Sequence, residues 1–461
     1  MDVKNINRIY FIGIGGIGMS ALARYYQSKN ATVSGYDKTP SHLTIQLETS
    51  GINIHYEDNV DLLDRNAQLV VYTPAVPRDH KELNYYLNNN YTVIKRSVLL
   101  GEITKSTFNI CIAGTHGKTT ISTMIAHILR DSGFGCNAFL GGISVNYDTN
   151  FWSSDNNVSV AEADEYDRSF LQLSPDLAVI SAMDADHLDI YGTKENMQDA
   201  FVQFAQRIRS KGLLLINYHL PDSKFSSVSH YRYSNSDDRA DIYANNIQLS
   251  NGGYSFDVIG KDWTLPGVRL NMGGMHNVEN AVAAIGLAHE LKIDTEKIKN
   301  AVKDFKGVKR RFEYIIPPSP SGERRLETIF IDDYAHHPQE LEALINGAKN
   351  LFPGKKCTVI FQPHLFSRTK DLADGFAKAL SLADEAILLP IYPARELPIA
   401  GVTSDTIAER IDRKKAMVCS KEGLLKKIND DKNRLELLIT AGAGDIDQLV
   451  QPIKEILVNK K

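Results

Sequence analysis

The sequence predicts an α/β protein of parallel sheets in three domains. Short apolar runs alternate with helical patterns along the whole chain, two of those runs end in glycine turns that open helices, and 461 residues are too many for one hydrophobic core. The runs lie at residues 9–12, 32–34, 69–72, 108–112, 158–161, 178–180, 212–216, 329–331, 357–361, 386–389 and 435–439, bounded by Gly, Pro or Asp. Nucleotide-binding units start near Gly13 and near Gly114, and a third α/β unit follows Arg311. Boundaries near residues 106 and 309 give domains of 1–106, 107–309 and 310–461. Residues 218–271 are rich in Ser, Asn, Asp and Tyr with weak alternation, and read as short antiparallel strands appended to the central domain. The proline- and glycine-bearing segment 317–325 reads as an exposed hairpin or loop.

Hydrophobic residues make up 43% of the chain and charged residues 23%, so each domain can bury a core. Lys and Arg number 52 against 56 for Asp and Glu, which leaves no global basic field for nucleic acid or an anionic membrane. Any anion site is therefore local. Cys111, Cys136, Cys357 and Cys419 are far apart and form no C-x-x-C pair, as suits a reducing compartment. The N-terminal apolar run turns glycine-rich at once, unlike a signal peptide, and no run of about 18 apolar residues occurs. The expectation is a cytoplasmic protein with no membrane insertion and no nucleic-acid partner.

Gly13, Gly15 and Gly18 fit G-x-G-x-x-G after a strand, and Asp37 ends the next strand, where a ribose-binding acid sits in Rossmann-like domains. Glycines let backbone approach a diphosphate, and the helix N-terminus offers unpaired N–H groups. A dinucleotide and a UDP-sugar satisfy this turn equally. Asp37 is as readily a cap or a surface acid.

The run Cys111-Ile-Ala-Gly-Thr-His-Gly-Lys-Thr-Thr120 sets Gly114, Gly117, Lys118 and Thr119 between a strand and a long helix. This is P-loop-type phosphate chemistry at a shorter spacing than the usual motif: backbone N–H groups cradle phosphates, Lys118 adds a charge, and the Thr119 hydroxyl suits Mg²⁺. A lysine in a buried glycine turn otherwise lacks a counter-charge. In Val160-Ala-Glu-Ala-Asp-Glu-Tyr-Asp167 the acid nearest the strand, Glu162, is the Mg²⁺ candidate; Asp164, Glu165 and Asp167 read as solvated loop charges. In Asp184-Ala-Asp-His-Leu-Asp189, His187 suits a second metal or a phosphate oxygen.

At this point the chain resembles the Mur ligase family, essentially from end to end. The markers are Gly13-Ile-Gly-Gly-Ile-Gly-Met-Ser20, Gly114-Thr-His-Gly-Lys-Thr-Thr120, Glu162-Ala-Asp-Glu165, Asp186-His187, His276-Asn-Val-Glu-Asn280, Lys309-Arg-Arg-Phe-Glu313, Asp332-Asp-Tyr-Ala-His-His-Pro338, Phe361-Gln-Pro-His364 and Gly442-Ala-Gly-Asp445. The resemblance is greatest to members that add L-alanine to UDP-N-acetylmuramate, an early cytoplasmic step of peptidoglycan synthesis. It implies domains for UDP-sugar, ATP and amino acid, the third closing when ligands bind, and an acyl-phosphate intermediate. It implies that Gly13, Gly15, Gly16, Gly18, Asp37 and Thr73 serve the UDP-sugar. Gly114, Thr115, His116, Gly117, Lys118, Thr119, Thr120, Asn277, Asn280, Arg311 and Asp333 would serve ATP, and Tyr334, His336 and Arg368 the amino acid. Thr119, Glu162 and His187 would hold two Mg²⁺ ions, with Mn²⁺ able to substitute, and Lys118, Glu162, His187 and Arg311 would be catalytic. A monomer or weak homodimer is expected.

Two departures matter. Relatives that add later residues carry a lysine, modified to a carbamate, after the Asp-His pair; residues 201–208 have none, in keeping with alanine addition. Many relatives have arginine directly after Phe-Gln-Pro-His, whereas this chain has Leu365, which leaves Arg368 as the contact for the amino-acid carboxylate. The alternatives are a recycling ligase that attaches a tripeptide, an NAD-dependent dehydrogenase suggested by the first turn alone, and a non-catalytic nucleotide sensor.

Overall fold

The computed structural model describes residue 3 and residues 5–184, 188–319, 328–394, 396–412 and 414–459. The chain forms two compact units. One comprises Met1–Asn245, Asp257–Pro266 and Glu279–Val302, the other Asn246–Phe256, Gly267–Val278 and Lys303–Lys461. The expected apolar runs are strands, with ends shifted by one or two residues where sheet pairing extends or trims them.

The first unit opens with a five-stranded parallel sheet in the order Asn53–His55, Thr32–Tyr36, Arg8–Ile12, Leu69–Tyr72, Val93–Lys95. Residues 9–12 and 69–71 of its central strands are apolar and buried at every position because both faces are covered. Ile9, Phe11, Leu69 and Val71 feed one buried cluster, and Tyr10, Ile12 and Val70 feed another, as the twofold alternation of a strand requires. In the second sheet Leu213–Asn217, Leu177–Ile180, Phe108–Ala113, Val158–Glu162 and Asn137–Ser144 run parallel, and Thr149–Trp152 pairs antiparallel at one edge. The helix Lys118–Asp131 has every residue from Thr119 to Leu129 buried, so it is a core helix rather than an amphipathic cover.

These two sheets share one core. Tyr25 of the helix Ile17–Ser28 meets Phe139 with ring centroids 5.4 Å apart, and Phe139 meets Phe151 at the same distance. Asn150 Nδ2 donates to Ile17 O at 2.6 Å and to Ser20 Oγ at 2.9 Å. At the linker between the sheets, Arg209 donates to Thr107 O (3.0 Å), Lys105 O (2.8 Å) and the Asp176 carboxylate (2.8 Å).

The antiparallel reading of residues 218–271 needs correction. His230–Ser234 pairs parallel with Leu213–Asn217, and Ile242–Ser250 begins parallel to His230–Ser234. Gly253–Gly260 and Thr264–Leu270 complete the sheet order at that edge. Connections of only two and three residues between those last strands require hairpins. A weak alternation in sequence does not carry strand direction; the length of the connection does.

In the second unit a six-stranded sheet runs Glu313–Ile316, Ile329–Asp333, Leu437–Ala441, Cys357–Phe361, Glu385–Leu388, Ala416–Val418, parallel except for its first pair. Residues 317–319 are irregular, and the rest of the expected loop lies outside the described residues. Among the described residues no helix is long and apolar enough to cross a membrane.

One buried acid marks the first sheet. Glu82 is fully buried, accepts from Tyr10 Oη at 2.5 Å and from Asn59 N at 3.1 Å, and burial pushes its carboxyl up to about 7. The folded protein therefore keeps a proton on Glu82 that the unfolded chain has lost, in the window from about 4.5 to about 7. Stability from this group is complete below that window and falls as pH rises through it, by up to about 3 kcal/mol. Glu82→Gln cannot titrate; urea midpoints measured from pH 4.5 to 7.5 should show a flatter profile in the variant, and parallel profiles would contradict the assignment.

Candidate active site

The first glycine turn is built by its neighbours. Gly13 sits at φ +85°, and its N–H donates to Tyr36 O at 2.8 Å. A Cβ at Gly13 would lie 2.9 Å from the Thr73 methyl, and one at Gly15 2.6 Å from Thr44 Cγ2 and 2.9 Å from Asp37 Oδ2. Gly16 caps the helix Ile17–Ser28 with extended backbone. Asp37 Oδ2 accepts the Gly15 N–H at 2.7 Å, so this acid stands on the turn itself. Gly18 is crowded by Arg96, whose Nη1 would be 2.9 Å from a Cβ there. Arg96 is absent from the sequence-based site; no motif marks it, and only packing brings it to the turn.

The second turn follows Phe108–Ala113. Gly114 and Gly117 take φ of +131° and +83°, a backbone that glycine adopts without strain. A Cβ at Gly114 would lie 2.2 Å from Ser181 Oγ, and one at Gly117 2.8 Å from Asn280 Oδ1. Ser181 Oγ donates to Ala113 O at 3.2 Å and also to His116 O. Thr115 Oγ1 accepts from Asp184 N at 3.2 Å, and His116 faces Asp184 at 3.8 Å on the exposed side. Thr119 and Thr120 are buried at the start of the helix. The structure thus brings residues 114–120 together with Asn280, and adds Ser181, which sequence reasoning missed.

Lys118 differs from its expected surroundings. Its Nζ donates to Gly114 O at 2.6 Å and lies 2.8 Å from both carboxylate oxygens of Glu165. The counter-charge absent from the sequence reading is therefore Glu165, whose side chain is only 2% exposed. The neighbouring acids are also engaged: Asp164 pairs with Arg96 at 3.4 Å and Asp167 with Lys95 at 2.9 Å. The reading as a solvated loop charge fails for Glu165, which is buried, whereas Asp164 and Asp167 stay 39% and 41% exposed and meet their partners at the surface. The loop reaches these cations by placing Asp167 and Arg168 in the left-handed region, at φ +53° and +54°. The ion pairs and the packing of Arg168 on the Tyr191 ring, 5.4 Å away, offset that strain.

Glu162 ends its strand against Gly141, where a Cβ would fall 2.1 Å from Oε2. His187, with Ala185 and Asp186, lies outside the described residues. Among the described residues no group of three His, Cys, Asp or Glu side chains converges as a metal cage. A buried threonine hydroxyl and one carboxylate at a phosphate turn suit Mg²⁺, which keeps its waters and shares itself with phosphate oxygens.

In the second unit Asn277 Nδ2 donates to Gly273 O at 2.6 Å. Arg311 is exposed, while its neighbour Arg310 turns inward: Nε is 3.5 Å from Asp332, another nitrogen donates to Gly442 O, and the guanidinium covers Tyr334 at 5.1 Å. Asp333 Oδ2 accepts Phe312 N at 2.6 Å and so holds the turn at residues 310–312, while Oδ1 accepts Ala335 N at 2.7 Å; burial nevertheless pushes the carboxyl up to about 6. Nearby, Arg368 Nη1 lies 3.4 Å from His364 Nδ1, and His364 stacks on Tyr392 with ring centroids 5.8 Å apart. The His336 and His364 rings are 6.4 Å apart, both with pKa lowered, first by burial. Neutral imidazoles beside one fixed guanidinium suit a carboxylate. Tyr334, His336 and Arg368 are thus joined by His364 and Tyr392; Leu365, at φ +68°, donates its N–H to Tyr392 O at 2.9 Å.

One unit with two glycine turns and another with a cluster of arginine, histidine and tyrosine side chains suit an enzyme of several anionic substrates. Family models agree on the class: "Mur ligase family, catalytic domain" matches residues 8–107, "Mur ligase middle domain" 112–288 and "Mur ligase, glutamate ligase domain" 310–446. The chain belongs to the Mur ligase family. It is similar to the UDP-N-acetylmuramate--L-alanine ligases of Cytophaga hutchinsonii (46% identity, covering 98% of this chain and 97% of that protein) and Parabacteroides distasonis (47%; 99% and 98%). Among solved structures it is similar to the UDP-N-acetylmuramate-alanine ligase of Thermotoga maritima, with a TM-score of 0.82 and 27% identity over 98% of this chain and 100% of that one.

Proposed function

We propose that the protein joins L-alanine to the lactyl carboxylate of UDP-N-acetylmuramate at the expense of ATP, giving ADP and phosphate, as a cytoplasmic step of peptidoglycan synthesis. End-to-end similarity to L-alanine ligases at 46–47% identity carries this reading. The buried Lys118 on its glycine turn supports the nucleotide part of it. We assign the UDP-sugar to domain 1–106, ATP to 107–309 and the amino acid to 310–461, and we expect a monomer or weak homodimer.

The chemistry follows from charge. The sugar's carboxylate must attack the γ-phosphorus of an anionic triphosphate, and two unit charges at 4 Å repel by about 4 kcal/mol at an effective dielectric near 20. Lys118 and Arg311 supply positive charge, and the N–H groups of residues 114–120 orient the phosphates. Thr119 and Glu162, with His187 as the candidate for a second ion, would hold Mg²⁺, which supplies charge neutralisation of the phosphate oxygens when bound. As the new acyl–phosphate bond forms, the bond to ADP breaks. Alanine, its carboxylate on Arg368 and its side chain toward Tyr334 and His336, then attacks the acyl carbon through its neutral amine. The C–N bond forms, phosphate leaves, and the amine proton is lost to solvent or phosphate.

The test is a phosphate-release assay with ATP. Release should require both UDP-N-acetylmuramate and L-alanine. A preference for a tripeptide over alanine would assign the recycling reaction instead, and NADH binding without UDP binding would return the first turn to a dehydrogenase.

A further inference from the structure

Lys118 has three ammonium hydrogens to donate. It donates to the Gly114 carbonyl at 2.6 Å and to Glu165 Oε1 at 2.8 Å, while Glu165 Oε2, also 2.8 Å away, adds charge but accepts no hydrogen bond. The side chains of Lys118 and Glu165 are 13% and 2% exposed, so this is a buried pair rather than a passing surface contact. Glu165 is also held from behind. Tyr191 Oη donates to its carbonyl at 2.6 Å, and Phe170, whose N–H donates to Asp164 O at 2.9 Å, is fully buried under the loop.

A phosphate group bound by Lys118 brings negative charge beside this buried carboxylate and competes with it for the same ammonium. We infer that Glu165 is a positioning residue acting through Lys118: it is the resting counter-ion of the phosphate-binding lysine, and its competition with phosphate holds nucleotide affinity below what the turn would otherwise give. The inference rests on residues 114–120 being the nucleotide turn. Two effects act in one direction. Without nucleotide, Glu165 stabilises a buried ammonium; with nucleotide, it repels the phosphates that have replaced it. Removing its charge raises the free state and relieves the bound one. A ligase that must release ADP in every turnover gains from such a competitor.

The experiment is calorimetric titration of the full-length protein with ADP in the presence of Mg²⁺. Glu165→Gln, nearly isosteric, should bind ADP about tenfold more tightly than the wild type, the equivalent of about 1.4 kcal/mol. Its KM for ATP should fall in step, and the ligand-free variant should melt at a lower temperature. Packing alone would leave affinity unchanged or weaken it, so equal or poorer ADP binding by a folded E165Q overturns the inference. Glu165→Asp, which keeps the charge but shortens the reach, should tighten ADP by a smaller factor, and it decides the matter if E165Q does not fold. Wild-type protein that fails to bind ADP would overturn the nucleotide reading and this inference together; wild-type binding without tightening in the variants overturns this inference alone.

Discussion

Lys118→Ala should lower the rate of phosphate release by about a hundred- to a thousandfold while leaving UDP-sugar binding intact. The size follows from removing one preorganised charge from the proposed phosphoryl-transfer site. The selectivity follows from separate partners: the first glycine turn draws its contacts from Tyr36, Asp37, Thr44, Thr73 and Arg96, whereas Lys118 bonds to Gly114 and Glu165. Stability should change as well. With its cation gone, Glu165 is a buried carboxylate that has lost its ion pair, a change that costs about 3–5 kcal/mol. Adding Glu165→Gln to Lys118→Ala should recover most of the melting temperature without recovering turnover. Steady-state phosphate release, UDP-sugar titration and thermal melting separate the three effects, and near-normal activity in Lys118→Ala would remove ATP from this turn.

Phe170→Ala should destabilise the first unit by about 3–5 kcal/mol, the usual range for deleting a buried aromatic ring. Phe170 is fully buried, stacks on Phe204 at 5.2 Å with planes 9° apart, and meets Phe201 edge-on at the same distance. It also ends the loop that carries Glu162, Asp164, Glu165 and Asp167. With Asp167 and Arg168 in the left-handed region, that loop keeps its conformation only while its surroundings over-determine it. Loss of the ring should therefore weaken ADP binding beyond the stability loss, measurable at a temperature where the variant remains folded. A urea midpoint shift with unaltered slope and unaltered ADP affinity would mean that the ion pairs to Lys95, Arg96 and Lys118 hold the loop unaided.

Much of the architecture was legible in the residues themselves. The strands at 8–12, 69–72, 108–113 and 357–361 are mostly apolar runs closed by turn residues, and Gly13, Gly114 and Gly117 stand where the backbone takes a positive φ. Those features are local: a side chain's preference for a covered strand, or a glycine's freedom at a turn, is written within a few neighbouring residues. The same holds for the order of the glycine turns and for Lys118 and Thr119 as the first residues of a helix.

What escaped the sequence involves partners brought together from afar. Glu165 looked like one of several solvated acids, and only the pairing of Phe108–Ala113 with Val158–Glu162 sets it against Lys118. Arg96 carries no motif, yet lies on Gly18 and on Asp164. Of two adjacent arginines it is Arg310 that packs inward on Asp332 and Gly442 while Arg311 stays exposed, a choice set by the left-handed backbone at Arg310 and Phe312. The sequence by itself determined the elements and the two glycine turns, because both depend on contiguous residues. The tertiary structure alone decided which charge meets which, because an ion pair depends on burial and on the distance between chain segments that no local pattern encodes.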